Sequence, residues 1–391
     1  MQSYKIRLDL NNKQATFAKK HAGVARHAYN WGLAQCKLAY DNKQKHPTAI
    51  DLHKRLVAEV KKVHAWYYEV SKCAPQEALR NVEKAYKRFF QKKSAFPKFK
   101  KKGRQDSFYL DGVIEVRANK IKLPHFGWLR LSETIEKDKN DKYPVIKNVT
   151  ISCRAGHWFV SFKVDATPSL PTKHTKKPAV GVDLGIKTLA TLSTGEVFPN
   201  LRPYKQYKRK LKLAQRKASK KYKKGAKEQS KNYKKAQARV AKLHYKIACI
   251  RQDALHKLTT HLAQNHREVV IEDLNVQGMS KNHNLASAIL DGGFYEFRRQ
   301  LTYKCDWYKT TLTVAPRFYA SSKLCSGCGE KKQDLTLKDR VYHCEKCGLE
   351  TDRDLNASLN LEKLAVSYTV SACGASRKPV PNGAGGQRNK K

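Results

Sequence analysis

Cysteines at positions 325, 328, 344 and 347 give the spacing C-x2-C, fifteen residues, C-x2-C, and this pattern leaves few folds open to the segment around it. Each pair suits a tight knuckle, and two knuckles supply four thiolates in a tetrahedron, the arrangement of a structural zinc ribbon. Gly329 and Gly348 follow the knuckles closely and can take the positive φ that such turns require. Four thiolates leave no open position on the metal, so the site is structural rather than catalytic. The competing account is four unrelated buried thiols. Residues 325–347 hold too little apolar surface to fold without an ion. The other six cysteines (Cys36, Cys73, Cys153, Cys249, Cys305 and Cys373) are scattered singly, which suits small buried hydrophobes in a reducing compartment better than a disulfide framework.

Charge decides the class of partner. Eighty Lys and Arg stand against 33 Asp and Glu, a formal net charge of +47 in 391 residues, so a large partner must be a polyanion, and nucleic acid is the commonest one. No apolar run approaches the roughly 18 residues that a membrane span needs. The start, "MQSYKIRLDLNNKQ", lacks the apolar core of a signal peptide, so a cytoplasmic protein is expected.

The length predicts two or three domains at about 150 residues each. "YKIRLDL" alternates in strand fashion, and from Lys13 to Tyr40 the apolar residues recur at helical spacing. "IDLHKRLVAEVKK" and "PQEALRNVEKAYKRFF" add two more helices. Short β runs then return as "SFYLD", "VIEVRA", "KIKLP", "WLRL", "KNVTISC" and "HWFVSFKVD". The expectation is a β-barrel-like domain from residues 1–10 and 95–165, interrupted by helices over 11–94, and then a linker over 166–178. "AVGVDLGIKTLATLSTGEVF" reads as two strands. Residues 202–246 carry nineteen Lys or Arg against one acid, Glu228, with apolar residues interspersed, and predict a basic helical hairpin that extends to about 262. "EVVIEDL" is a buried strand, a helix is predicted from about Asp352 to Leu364, and the Gly/Pro/Lys-rich residues 365–391 read as a disordered tail.

Three acids lie where an enzyme acting on a polyanion would want metal ligands. In "GVDLGI", Asp183 shares a strand face with Gly181 and Gly185, which leaves room beside it for metal ions and a phosphate; an Asp that ends a strand before a turn would look the same. In "VVIEDL", Glu272 and Asp273 point to opposite faces, so one of them can reach a shared site, unless both belong to a solvated strand end. In "TDRDLNAS", Thr351 as N-cap with Asp354 three residues on would approximate a capping box and explain Asp354 without chemistry. Asp352 and Asp354 diverge by about 200° on a helix, so they cannot share one site; Asp352 is placed to accept from free N–H groups at the helix start. Hydrolysis of a phosphodiester with two divalent ions needs several converging carboxylates, and one from a first strand, one from a later strand and one from a helix N-terminus meet that need.

"GVDLGIKTLAT", "VVIEDLNVQGM", and "SSKLCSGCG" through "CEKCGLETDRDLNASLNL" resemble the three split segments of a RuvC-type nuclease domain with an inserted zinc ribbon, in the form found in the TnpB family of insertion-sequence proteins related to type V CRISPR effectors. "GVARHAYNWGLA", "NVEKAYKRFF" and "FPKFKKKGR" resemble the family's N-terminal half, so the likeness covers roughly residues 1–365. The resemblance implies an α/β multi-domain protein: an RNase H-like nuclease domain over 179–324 and 348–364, and a wedge barrel with an inserted helical recognition lobe before it. It implies Asp183, Glu272 and Asp354 as catalytic acids that hold Mg²⁺ or Mn²⁺, and Cys325, Cys328, Cys344 and Cys347 as zinc ligands. It also implies a guide RNA from the transposon end, a target double-stranded DNA that forms an RNA–DNA heteroduplex and carries an adjacent short motif, and a monomeric, nucleoid-associated prokaryotic protein.

Arg209, Lys210, Lys220, Lys221, Lys223 and Lys224 in the basic stretch are the expected backbone-binding residues, with a solvated charged hairpin as the alternative. Lys72 and Gln76 are four apart on one helix face and suit guanine and adenine in a major groove, although an ordinary exposed face would look alike. Three other readings compete: a guided DNA binder that represses without cutting, a DDE-type transposase, and a zinc-ribbon RNA binder. The first should have lost an acid, the second lacks an evident end-binding domain, and the third leaves "GVDLGI" and "DRDLNAS" unexplained.

Overall fold

The structure is a computed structural model and describes residues 2–104, 106–137, 141–164, 177–226, 228–336 and 339–374. Contacts divide the chain into two units, Met1–Pro168 with Ala218–Tyr245, and Ser169–Lys217 with Lys246–Lys391.

In the first unit the alternating run forms β1 (Gln2–Asp9), which buries Ile6 and Leu8 and leaves their neighbours wet. Asn11 and Gln14 exchange bonds in a capping box that starts α1 (Asn12–Asp41). A second capping box, Thr48 with Asp51, starts α2 (Ala49–Arg55), which continues as a π-helical turn over Leu56–Lys61. Helix α3 (Cys73–Phe90) lies close to α1: a Cβ on Gly32 would stand 2.6 Å from Leu79 Cδ2. The six β runs form β2 (Ser107–Asp111), β3 (Glu115–Arg117), β4 (Lys120–Leu123), β5 (Gly127–Leu131), β6 (Asn148–Arg154) and β7 (His157–Val164). With β1 they make an antiparallel sheet in the order β2-β6-β7-β1-β5-β4-β3. Ala155 and Gly156 turn the β6–β7 hairpin at φ 53° and 85°, as a two-residue primed turn requires. The strand, helical insert and returning strands follow the expected order. The barrel does not: among the described residues no ladder joins β2 to β3, and the sheet keeps two edges.

Residues 166–176 of the expected linker lie outside the described residues, while Lys177 and Pro178 already belong to β8 (Lys177–Asp183). After β8 come β9 (Thr188–Leu192), β10 (Val197–Pro199), α4 (Pro203–Ser219), α5 (Lys231–Asn265), β11 (His266–Ile271), α6 (Val276–Met279), α7 (Ala286–Gly292), α8 (Phe294–Tyr308), β12 (Thr311–Val314), β13 (Val341–His343), β14 (Glu350–Asp352) and α9 (Arg353–Gly374). The five-stranded sheet has the order β10-β9-β8-β11-β12, with β8 antiparallel to β9 and parallel to β11, and β11 parallel to β12. Three antiparallel strands are thus continued by two parallel ones in a mixed α/β sheet. Val269 and Ile271 pack with Leu258, Phe297 and Leu301 on one face, and Val270 with Leu361 and Ala365 on the other, so α9 covers the face opposite α5 and α8.

Helix α9 passes the expected end at Leu364 and runs to Gly374, because no Gly or Pro interrupts residues 353–373. The rest of the expected tail, residues 375–391, lies outside the described residues. Among the described residues no helix is long and apolar enough to cross a membrane.

Candidate active site

Strand pairing brings the first two acids together. Val182 of β8 lies opposite Ile271 of β11 in the parallel ladder, so the next residues, Asp183 and Glu272, emerge side by side at the carboxyl ends of neighbouring strands. Ends of this kind are where open α/β sheets bind ligands.

The third acid arrives through a glycine. A Cβ on Gly181 would lie 1.9 Å from the Ser358 carbonyl oxygen and 2.6 Å from Glu362 N, so α9 packs with its backbone directly on β8. Two residues along the strand, about 6.6 Å, return the same face at Asp183. Four residues back along the helix, about 6 Å, return the same face at Asp354. The two carboxylates are thereby carried toward one place. The space beside Gly181 is not room for metal and phosphate, as the sequence suggested: α9 fills it, and the Thr188 carbonyl closes the space at Gly185, 2.9 Å from where a Cβ would be.

The electrostatics agree with this convergence. Burial first, and then the charges of Glu272 and Asp354, hold the Asp183 carboxyl well above the usual carboxylate range. Glu272 is also raised by burial, partly offset by the Ser321 hydroxyl that donates to its Oε1. Among the described residues neither Asp183 nor Glu272 has a Lys or Arg ion pair. Asp273 faces the other way and accepts from Arg298 (2.6 Å) and Arg317 (2.9 Å), which hold its carboxyl below the usual range. A cleft of about 330 Å³ opens here, lined by Leu184, Glu272, Asp273, Phe294, Arg298 and Arg317 among others.

Asp352 resolves the helix start. Its Oδ1 accepts from Asp354 N (2.9 Å) and Leu355 N (3.1 Å), so Asp352 is the cap and the Thr351 capping box is not formed. Asp354 is left without a capping role. Arg353, beside it, donates to the Thr336 carbonyl and reaches Asp354 only at 3.5 Å.

The four cysteines meet as the spacing requires. All four sulfurs lie within 4.8 Å of one another, with Cys325 to Cys347 at 3.5 Å and Cys328 to Cys344 at 3.6 Å. Sulfurs on a tetrahedron around zinc at about 2.3 Å would be about 3.8 Å apart, so the donor set fits that ion. Gly329 and Gly348 take φ of 78° and 73°, and each donates its N–H to the carbonyl of the first cysteine of its knuckle. Backbone N–H groups of Cys347 and Lys346 lower the Cys344 thiol, while at Cys347 the Leu349 N–H is outweighed by the other three sulfurs, which raise it, so the cluster shares protons that a bound cation would displace. Among the described residues this is the one group of three or more metal-type side chains drawn so tightly together; the three acids are neighbours without reaching that closeness.

Lys72 is exposed immediately before α3 and Gln76 is half-buried in its first turn. Arg209 and Lys210 on α4, and Lys220, Lys221, Lys223 and Lys224 after it, are all exposed. Sequence reasoning passed over a groove of about 790 Å³ in the first unit, lined by Lys20, Arg26, His27, Trp31 and Trp66 among others. It also passed over Asn356 and Asn360, which are fully or nearly fully buried on α9. Two asparagines at i, i+4 share a helix face, but nothing in the sequence marks that face as buried.

A family profile described as "Probable transposase" matches residues 160–283, one described as "Cas12f1-like, TNB domain" matches 294–361, and one described as "Helix-turn-helix domain" matches 1–45. Within that last range the structure holds one strand and one unbroken helix, α1. The chain is 34% identical to "Putative RNA-guided DNA endonuclease InsQ" of Escherichia coli (strain K12), covering 96% of this chain and 94% of the relative. It is 37% identical to "Putative RNA-guided DNA endonuclease" of Streptomyces pristinaespiralis, covering 96% and 92%. A "TnpB-like protein L79" of Acanthamoeba polyphaga mimivirus matches 32% of the chain at 31% identity and covers 25% of that protein. Among solved structures, one titled "Cryo-EM structure of the Cas12f1-sgRNA-target DNA complex" shares the fold at a TM-score of 0.53 and 16% identity, over 90% of this chain and 83% of that one. With its split RuvC-like segments, its four-cysteine ribbon and near full-length relatives of this kind, the chain belongs to the TnpB family.

Proposed function

We propose that the protein is an RNA-guided DNA endonuclease of a transposon, which cuts target DNA beside a short motif by divalent-metal-dependent hydrolysis. The observation that carries this reading is the Asp183 carboxyl, raised by burial and by Glu272 and Asp354, in a chain whose near full-length relatives are named as guided endonucleases. Like charges held together out of water are costly unless a cation joins them. Asp183, Glu272 and Asp354 are the residues that would hold Mg²⁺ or Mn²⁺, and such ions supply charge neutralisation and an activated water at a phosphodiester. The Ser321 hydroxyl orients Glu272, and the Asp352 cap frees Asp354 from helix duty. Arg298 and Arg317 neutralise Asp273, so of the two acids that line the neighbouring cleft Glu272 is the one without a cationic partner among the described residues.

The four cysteines hold zinc and organise the ribbon. The exposed cations of α4 and the segment after it suit the backbones of a guide RNA and a heteroduplex, with base pairing supplying sequence specificity. Lys72 and Gln76 are the proposed readers of the adjacent duplex motif, the strands and helices of the first unit are read as the wedge and recognition parts, and the working form is a monomer.

The test is reconstitution with a guide RNA and matching linear DNA. Cutting is expected with Mg²⁺ and none in chelator. Asp354→Ala should bind guide and target as the native chain does and cut slower by on the order of 10³-fold or more. A native complex that binds matched DNA and never cuts would make the protein a guided binder. Cutting in chelator would end the metal reading.

A further inference from the structure

The zinc knuckles and the acids are joined by a buried polar seam. Asn356 and Asn360 lie one turn apart on the same face of α9, at 0% and 3% exposure. The Asn356 amide donates to the Leu324 carbonyl (2.7 Å), and its oxygen accepts from Ser326 N (2.8 Å). The Asn360 amide donates to the same Leu324 carbonyl (2.7 Å) and to the Ser321 carbonyl (2.8 Å). Leu324 and Ser326 flank Cys325, the first zinc ligand, whose own N–H is fixed on the Glu330 carbonyl. Ser321, 3% exposed, turns its hydroxyl onto Glu272. The path runs from the first knuckle through two asparagines of the Asp354 helix to Glu272.

Only a carboxamide fits these positions. Asn360 uses both amide hydrogens on two carbonyls, and Asn356 uses a donor and the acceptor at once. Aspartate has the same shape and would set a carboxylate against carbonyl oxygens. Leucine would leave those carbonyls buried and unpaired.

We propose that Asn356 and Asn360 are positioning residues that clamp the first zinc knuckle to α9, and so set Glu272, through Ser321, against Asp354. The proposal rests on the assignment of these acids as ligands of the divalent ions.

Asn360→Asp, prepared as the full chain with its guide RNA, tests it. Zinc by elemental analysis, guide binding, Mn²⁺ affinity by electron paramagnetic resonance and the single-turnover cutting rate are measured beside the native complex. The expected result is one zinc per chain and native guide affinity, Mn²⁺ binding weakened about tenfold, and cutting slowed about a hundredfold, the scale of a small misplacement of catalytic groups. Ser321→Ala, which removes only the hydroxyl at Glu272, should weaken Mn²⁺ binding in the same direction with zinc intact. Native Mn²⁺ affinity in both variants overturns the proposal. Loss of zinc together with loss of Mn²⁺ binding in Asn360→Asp, with Ser321→Ala native, also overturns it, because the seam would then be only structural. A native complex that fails to cut matched DNA counts against the endonuclease reading instead, and the Mn²⁺ comparison still decides the role of the seam.

Discussion

The four thiols and the three carboxylates are built in opposite ways. The thiols come from a short stretch, and each knuckle is closed by its own glycine and its own N–H bonds, so local sequence specifies the site almost completely. The acids come from positions 183, 272 and 354 and meet only after β8 and β11 have paired in one register and α9 has settled on Gly181. The thiols gain from proximity once a cation binds, while the carboxylates repel until one does. A local metal site can therefore stabilise its own fold, whereas the assembled site draws on stability supplied by the rest of its unit.

Cys344→Ser should separate the two most widely. It should abolish zinc binding and unfold the ribbon, since structural zinc contributes on the order of 10 kcal/mol to such modules. Hydrogen exchange should rise over residues 323–352 and stay native in β8, β9 and β11. Retention of one zinc per chain would contradict the four-thiol site.

Gly181→Ala should do the reverse. Its Cβ cannot fit at 1.9 Å from the Ser358 carbonyl, so α9 must move, at a cost of about 1–3 kcal/mol or more, and cutting should be lost with zinc retained. Native cutting by this variant would show that the approach of α9 is not what places Asp354.

Asp352→Ala removes the cap that stands between the two sites. A denaturation curve should show a loss of about 1 kcal/mol, and cutting should persist. Loss of cutting here together with native cutting by Asp354→Ala would reverse the roles of the two aspartates.

The smallest effect has the opposite sign. The folded-state pKa of Asp183 is raised, so its ionisation opposes folding: its contribution to stability is intact below the unfolded value near 3.9 and is lost as pH rises through the folded one. In chelator at neutral pH, Asp183→Asn should therefore melt slightly higher than the native chain. The gap should close in acid and on adding Mg²⁺. A lower melting temperature for the variant under chelator would remove the repulsion argument.

Much of this was legible because it is periodic. β1, α1 and β2 to β7 fall where alternation and helical spacing put them, and the knuckle glycines have the φ that their spacing implied. What was not legible depends on partners remote in the chain. Gly181 reads as empty space until α9 occupies it, and Asn356 and Asn360 read as ordinary helix residues until Ser321 and Leu324 lie beneath them. Thr351 and Asp352 are equally good caps on paper, and β14 decides between them by carrying the strand through Asp352. The edges of the first sheet were hidden for a similar reason, since alternation fixes which face is buried but not whether the last strand meets the first.

Two adjacent acids at the end of a strand carry a risk of misassembly. A slip of one residue between β11 and β8 would present Asp273 to the site in place of Glu272, with a side chain one methylene shorter. Arg298 and Arg317 close on Asp273 from α8 and from the segment after β12, and both bonds would be broken by such a slip. The pair of arginines thus adds its weight to the native register, since a strand slipped by one residue would forfeit both bonds.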